Sequence, residues 1–172
     1  VYEIIKLLNF AHGDVYMLGA FWGYFVINYW HFNFIFALIS TMAITALVGV
    51  IIEFLAYRPL RHAPRVAALI TAIGVSYFLE NGMSYLYGAS ARSFPQVIKQ
   101  HNYHVAGISI SSIQIIILGT AIFLMVALQF VIKQTKMGKA MRAVANDPDA
   151  AQLVGINPNH VISFTFAIGS AL

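Results

Sequence analysis

Three places in this 172-residue chain hold side chains that could do chemistry. The first is the run NFAHGD, in which Asn9, His12, Gly13 and Asp14 interrupt strongly apolar sequence. An imidazole and a carboxylate two residues apart suit proton transfer or recognition of a cation, and at membrane depth they are costly unless they face a cavity, a partner or the interface. The second is Glu80 with Asn81, late in another apolar stretch, where an acid is a candidate for a pathway or a helix partner. The third is His101 and His104; no further ligand at a defined spacing accompanies them, so no metal site is expected. The chain has neither a nucleophile with base and oxyanion donors nor a Gly-rich phosphate loop of the Walker type, so it is not expected to be an enzyme, to hold a cofactor or to bind ATP itself.

The elements that must position these residues are membrane helices. Sixty per cent of residues are hydrophobic and nine per cent charged, with a mean hydropathy of +0.77. That composition belongs to a polytopic protein surrounded by membrane lipid. Cysteine is absent, which excludes disulfides and thiolate metal sites. The net charge of +4 does not point to nucleic acid, because the basic residues sort by side of the membrane rather than forming a patch with interleaved aromatics. Arg58, Arg61 and Arg65 share one short connection and Lys133, Lys136, Lys139 and Arg142 another, whereas the 88–112 loop has only Arg92 and Lys99. The positive-inside rule puts the two rich loops in the cytoplasm and 88–112 outside.

Taken in order, Val1 to Phe10 reads as the tail of a first helix. NFAHGD then fits either a discontinuous helix lining a path or a tight cytoplasmic turn, with Gly13 bending the chain and Asp14 capping the next helix. Val15 to about Trp30 is a span whose Gly19 and Gly23 let another helix approach closely. Phe34 to about Tyr57 is a long span with Ser40, Thr41 and Thr45 as small polar packing positions, and its Glu53, close to Arg58, reads as paired or snorkelling. Val66 to about Tyr87 crosses outward, and Val105 to Ser111 alternates as a brief strand or hairpin does. Ile113 to about Ile132 returns, and Val161 opens a last, shorter run. Val1 is no initiator, and Leu172 falls about a dozen residues into an apolar run where a span needs about 20, so both ends read as cut from a longer chain. The expected architecture is all-α: a polytopic helical bundle in one domain, 1–172, with about five full or partial spans after a truncated first helix.

The stretch 133–158 is different. Gly138 precedes a helical run from Lys139 to about Ala145; Asp147 is an N-cap and Pro148 suits the first helical position. A second short helix then runs to about Val154 and stops at Gly155 in the left-handed conformation, after which Asn157 and Pro158 repeat the cap signal. Ala150, Leu153 and Val154 share one face of it, with Ala151 beside them. Such a face either docks a partner or rests, as a solvated loop, on the protein's own spans.

TKMGKAMRAVANDPDAAQLVGINPNHVI resembles the cytoplasmic loop of permease subunits of branched-chain amino acid ABC importers. LNFAHGDVYMLGA, AYRPLR, ALITAIGVSYFLENG and FTFAIGSAL are similar to the same family in the same order. The resemblance implies a coupling helix seated in a groove of a separate ATPase subunit, through Gly138, Ala140, Arg142, Ala143, Asp147, Ala150, Ala151 and Gly155. It implies a translocation path that involves Asn9, His12, Gly13, Asp14, Glu80 and Asn81, although the family more often carries glutamine where this chain has Glu80. Also implied are a second, homologous permease subunit, a periplasmic substrate-binding protein, placement in the bacterial inner membrane, and import of leucine, isoleucine or valine. Related permeases for urea or short amides look similar. Two other classes stay open: an ion-coupled secondary transporter using Asp14 or Glu80, and a membrane haem protein. The second would need facing histidines within helices, but His12, His31, His62, His101, His104 and His160 fall at or near predicted span ends.

Overall fold

The structure, a computed structural model, describes residues 12–60, 63–88, 90, 94, 102–105 and 108–172. The expected first-helix tail, Asn9, Arg61, His62, Arg92, Lys99 and His101 lie outside the described residues. Helix α1 covers His12–Asn28 and α2 Phe34–Ile52. The next span, α3, covers Arg65–Tyr87. A hairpin of β1 (Asn102–Val105) and β2 (Ile108–Ser111) pairs antiparallel, with Tyr103 opposite Ile110. Then follow α4 (Ser112–Gln134), α5 (Lys136–Asn146), α6 (Pro148–Leu153) and α7 (Pro158–Ala171). Among the described residues three helical stretches are long and apolar enough to cross a membrane, Phe34–Leu60, Val66–Tyr87 and Ser112–Gln134. The chain is thus the all-α, multi-span protein its composition dictates, with one small hairpin, 102–111, where a brief strand or hairpin was expected over 105–111.

Glycine and threonine set the α1–α2 contact. A Cβ on Gly19 would meet the Thr45 methyl at 2.8 Å and the Thr41 methyl at 3.3 Å, and one on Gly23 would meet the Thr41 hydroxyl at 3.4 Å. Thr45 satisfies its hydroxyl within its own helix, donating to the Thr41 carbonyl at 2.8 Å, so its methyl is free to press on α1. The Gly19–Gly23 spacing therefore does what small residues do between spans: it brings two backbones close where lipid supplies no hydrophobic drive.

Helix α2 departs from regularity at its inner end. Glu53–Tyr57 form a π-helical turn, closed by the Arg58 N–H on the Glu53 carbonyl, and Arg58–Leu60 a 3-10 turn. The span thus reaches the expected Tyr57 but not as one α-helix. Pro59 gives the reason: in a regular helix its ring would strike the carbonyl of Leu55, and a widened turn relieves that clash. Gly49, one turn before, touches α7 so closely that a Cβ would collide with the Ser170 side chain.

The buried core lies at the end of the bundle where α5 and α6 meet the spans. Val15, Ile52, Tyr57 and Ala72 of the spans meet Met141 and Val144 of α5, Ala151 of α6, and Val161, Ile162 and Phe166 of α7 in one cluster. Helix α4 buries no residue in this chain; it is fixed at its start, where Ser111 Oγ accepts from the Ile113 N–H and the Ser111 N–H donates to Gln114 Oε1 at 3.1 Å. Gly74, in contrast to Gly19, has nothing near its Cβ position. Gly19→Val is expected to weaken the bundle by about 1–3 kcal/mol through overpacking and Gly74→Ala to leave it unchanged or slightly stabler; thermal unfolding of the purified protein in detergent reads the difference.

Candidate functional site

The stretch 133–158 is a preformed unit, and local hydrogen bonds explain its shape. Thr135 Oγ1 accepts from the Gly138 N–H at 3.0 Å and caps α5. Gly138 is therefore inside the helix, not ahead of it as expected. The sequence signal was Thr135, an N-cap residue three positions earlier. Glycine is required there because a Cβ would collide with the backbone carbonyls of Val131 and Ile132, where α4 turns into α5. Arg142 reaches back to that corner, its guanidinium donating to the Ile132 carbonyl at 2.5 Å, a favourable place for a cation at the end of α4. Asp147 Oδ1 accepts from the N–H groups of Asp149 at 2.9 Å and Ala150 at 3.0 Å, and Pro148 follows it as the first residue of α6. Gly155 sits at φ +85°. The Ile156 N–H reaches the Ala151 carbonyl and the Gly155 N–H that of Gln152, both at 3.0 Å, which is a Schellman stop. Asn157 and Pro158 then start α7 as expected.

The unit has two faces. Met141, Val144 and Ala151 are buried against α7, with Ala140 and Ala143 half-buried beside them. Ala151 was expected next to the docking face; the structure turns it inward, because α6 lies against α7 on that side. Ala150, Leu153 and Val154 face out, the last two 90% and 76% exposed. Lys133, Lys136, Lys139, Arg142 and Asp147 are exposed as well. On its inner side the unit rests on the protein's own helices, as the loop reading expects.

Within the bundle, Ser76 Oγ of α3 donates to the Asp14 carboxylate of α1. The same separation in sequence relates Phe25 to Tyr87, whose rings lie 5.0 Å apart, so α1 and α3 run parallel. Ser76 stands at the middle of the 23-residue α3. At 1.5 Å per residue that is roughly 16 Å from the helix start. Asp14 is therefore at bundle depth, and Gly13 and Asp14 are helical rather than forming a cytoplasmic turn. His12 and Gly13 are exposed on the first described turn. Glu80 and Asn81 are exposed on the far part of α3, where Asn81 donates to the Tyr77 carbonyl at 2.8 Å. The structure brings Asp14 to α3 through Ser76 and leaves Glu80 on an outward face.

Sequence reasoning missed Glu53. Instead of snorkelling, it is fully buried, and Ser163 of α7 donates to its Oε2 at 2.6 Å. Arg58 lies over the Phe54 ring, 5.1 Å from its centroid. No local signal marks this arrangement, since Ser163 is 110 residues away.

Comparison with known proteins places the whole chain. A family described as the permease component of branched-chain amino acid transport systems matches residues 1–172. The high-affinity branched-chain amino acid transport system permease protein BraD of Pseudomonas aeruginosa is 34% identical over 184 residues, and LivH of Escherichia coli K12, named as the same kind of protein, is 36% identical over 185. LivH of Salmonella typhimurium is 37% identical over 187 residues. Each alignment covers 100% of this chain and 60% of the relative, so the chain spans about three fifths of the length of these proteins. No solved structure matches significantly. The apolar spans and these relatives agree: the chain belongs to the permease-component family of branched-chain amino acid transport systems, a family of transport proteins rather than of enzymes.

Proposed function

We propose that this chain is the membrane part of an ATP-driven importer of branched-chain amino acids in a bacterial inner membrane. The observation that carries the reading is the two-faced cytoplasmic unit: one side is locked into the bundle by Met141, Val144 and Ala151, and the other presents Leu153 and Val154 to a partner. Exposed apolar side chains rimmed by charge mark contact surfaces, and a helix closed by caps at both ends keeps its shape when pushed. A separate ATPase subunit docks on 138–156 and moves the unit as it closes on ATP. A periplasmic binding protein delivers substrate to the 88–112 side, and a second, homologous permease subunit completes the path. Substrate passes Asn9, His12, Gly13 and Asp14, with Glu80 and Asn81 toward the outer end. The printed names of the relatives support leucine, isoleucine and valine over urea or amides.

Replacing both Leu153 and Val154 by Asp is expected to remove the ATPase subunit from the purified full-length protein while leaving its membrane level unchanged, as seen by co-purification. Gly155→Val forces a β-branched residue into the left-handed region, at a cost of about 1–3 kcal/mol, and re-aims α6. ATP hydrolysis should then persist with little uptake of labelled leucine, and wild-type uptake in this variant would sink the lever. Asp14→Asn keeps an acceptor for Ser76 but removes the charge. If Asp14 contacts the substrate ammonium, uptake should fall by about tenfold or more, since a hydrogen bond to a charged group is worth about 1.5–3 kcal/mol. Uptake abolished by an ionophore but indifferent to loss of the ATPase would instead make Asp14 an ion site of a secondary transporter.

A further inference from the structure

We infer that Glu53 is the positioning residue through which the docking unit moves the membrane bundle; the inference rests on the docking reading above. The chain of contacts is continuous. Helix α6 is joined to α7 by two residues beyond Gly155, Ile156 and Asn157, and α5, α6 and the start of α7 share one buried cluster. A push on Leu153 and Val154 therefore reaches Ser163, in the second turn of α7, without passing a flexible joint. Ser163 donates to the Glu53 carboxyl group of α2 at 2.6 Å, a short, directed hydrogen bond.

The neighbouring contacts between the same two helices are of another kind. Tyr57 and Phe166 touch ring on ring at 5.3 Å, and Gly49 meets Ser170 by close approach of small groups. Ring faces and small residues can slide by an ångström or more, whereas a short hydrogen bond to a buried carboxyl group holds one register. The carboxylate is also placed where the helix can yield. Glu53 is the first residue of the π turn, and its own carbonyl accepts the widened bond from Arg58. A π turn is a single extra residue in the ladder, so it can shift along the helix or close with a small change in rotation of what precedes it. A displacement of α7 is thus delivered to α2 at its weakest turn. Gly49, Thr45 and Thr41 carry it on to α1 through the Gly19–Gly23 contact.

The test uses the full-length permease purified with its ATPase subunits and reconstituted with its binding protein, in four forms: unsubstituted, Ser163→Ala, Glu53→Leu and Glu53→Gln. The readout is labelled leucine imported per ATP hydrolysed, alongside the amount of ATPase retained. Ser163→Ala and Glu53→Leu should keep the ATPase and lose about five- to tenfold in leucine per ATP, the lower range of coupling between two sites. Glu53→Gln, which still accepts from Ser163, should keep most of it. Should Glu53→Leu fail to assemble, Ser163→Ala decides, since it removes one oxygen. Unchanged leucine per ATP in Ser163→Ala, with the ATPase retained, overturns the inference and leaves the docking reading standing. Failure of the unsubstituted protein to retain any ATPase overturns both.

Discussion

The bundle depends on how spans are held together where water does not push them. Lipid is as apolar as leucine, so burial of side chains between membrane helices brings little gain, and what remains is close contact and directed polar bonds. The described spans use both. Glycine allows contact at Gly19, Gly23 and Gly49, and carboxylates set the register where Asp14 takes a bond from Ser76 and Glu53 one from Ser163. Each carboxylate ties helices distant in sequence, α1 to α3 and α2 to α7. A buried acid needs a partner, and so it fixes which helix faces which.

The 133–158 unit obeys different physics, because its outer face is exposed and charged. Its helices are short, and short helices are marginal unless capped and packed. Here every end is closed: Thr135 starts α5, Asp147 ends it and starts α6, Gly155 stops α6, and Asn157 starts α7. Packing comes from Met141, Val144 and Ala151 on α7, an ordinary hydrophobic cluster. Helix α7 belongs to both regimes. Its first turns complete the water-driven cluster, and its later turns, through Ser163, Phe166 and Ser170, lie on α2. What happens at the docking face is therefore felt first where α7 meets α2.

The difference in physics also explains what the sequence made legible. Caps are local, so Asp147, Pro148, Gly155, Asn157 and Pro158 announced the α6 and α7 boundaries to within a residue. The Gly19–Gly23 pair and Thr41 and Thr45 were readable as packing positions because small residues have few other uses in a span. The start of α5 was misplaced because Gly138 looked like a breaker; its true role, clearing the Val131 and Ile132 carbonyls, depends on the corner that Thr135 makes. Glu53 reads as paired or snorkelling because Arg58 is near in sequence; its burial and its bond from Ser163 depend on another helix. The π turn was not legible either, although Pro59 held the clue. For the candidate site, residue types pointed to Asp14, but its depth needed Ser76.

A transmitting device needs a stiff arm and a defined place to yield. The arm here is stiff for local reasons, since each cap removes a fraying end and the shared cluster leaves α5 and α6 no independent movement. The yielding place is set by Pro59, which denies α2 a regular last turn. Sequence has put a buried carboxyl group on the first residue of that turn, so a directed bond between the arm and the bundle lies at the irregular turn of the receiving helix. Were Glu53 a turn earlier, the same bond would lie in regular helix and resist any small displacement; a turn later, it would be in the water-exposed connection and screened. On the coupling proposed above, the position of Glu53 relative to Pro59 decides whether movement of the 133–158 unit reaches the spans.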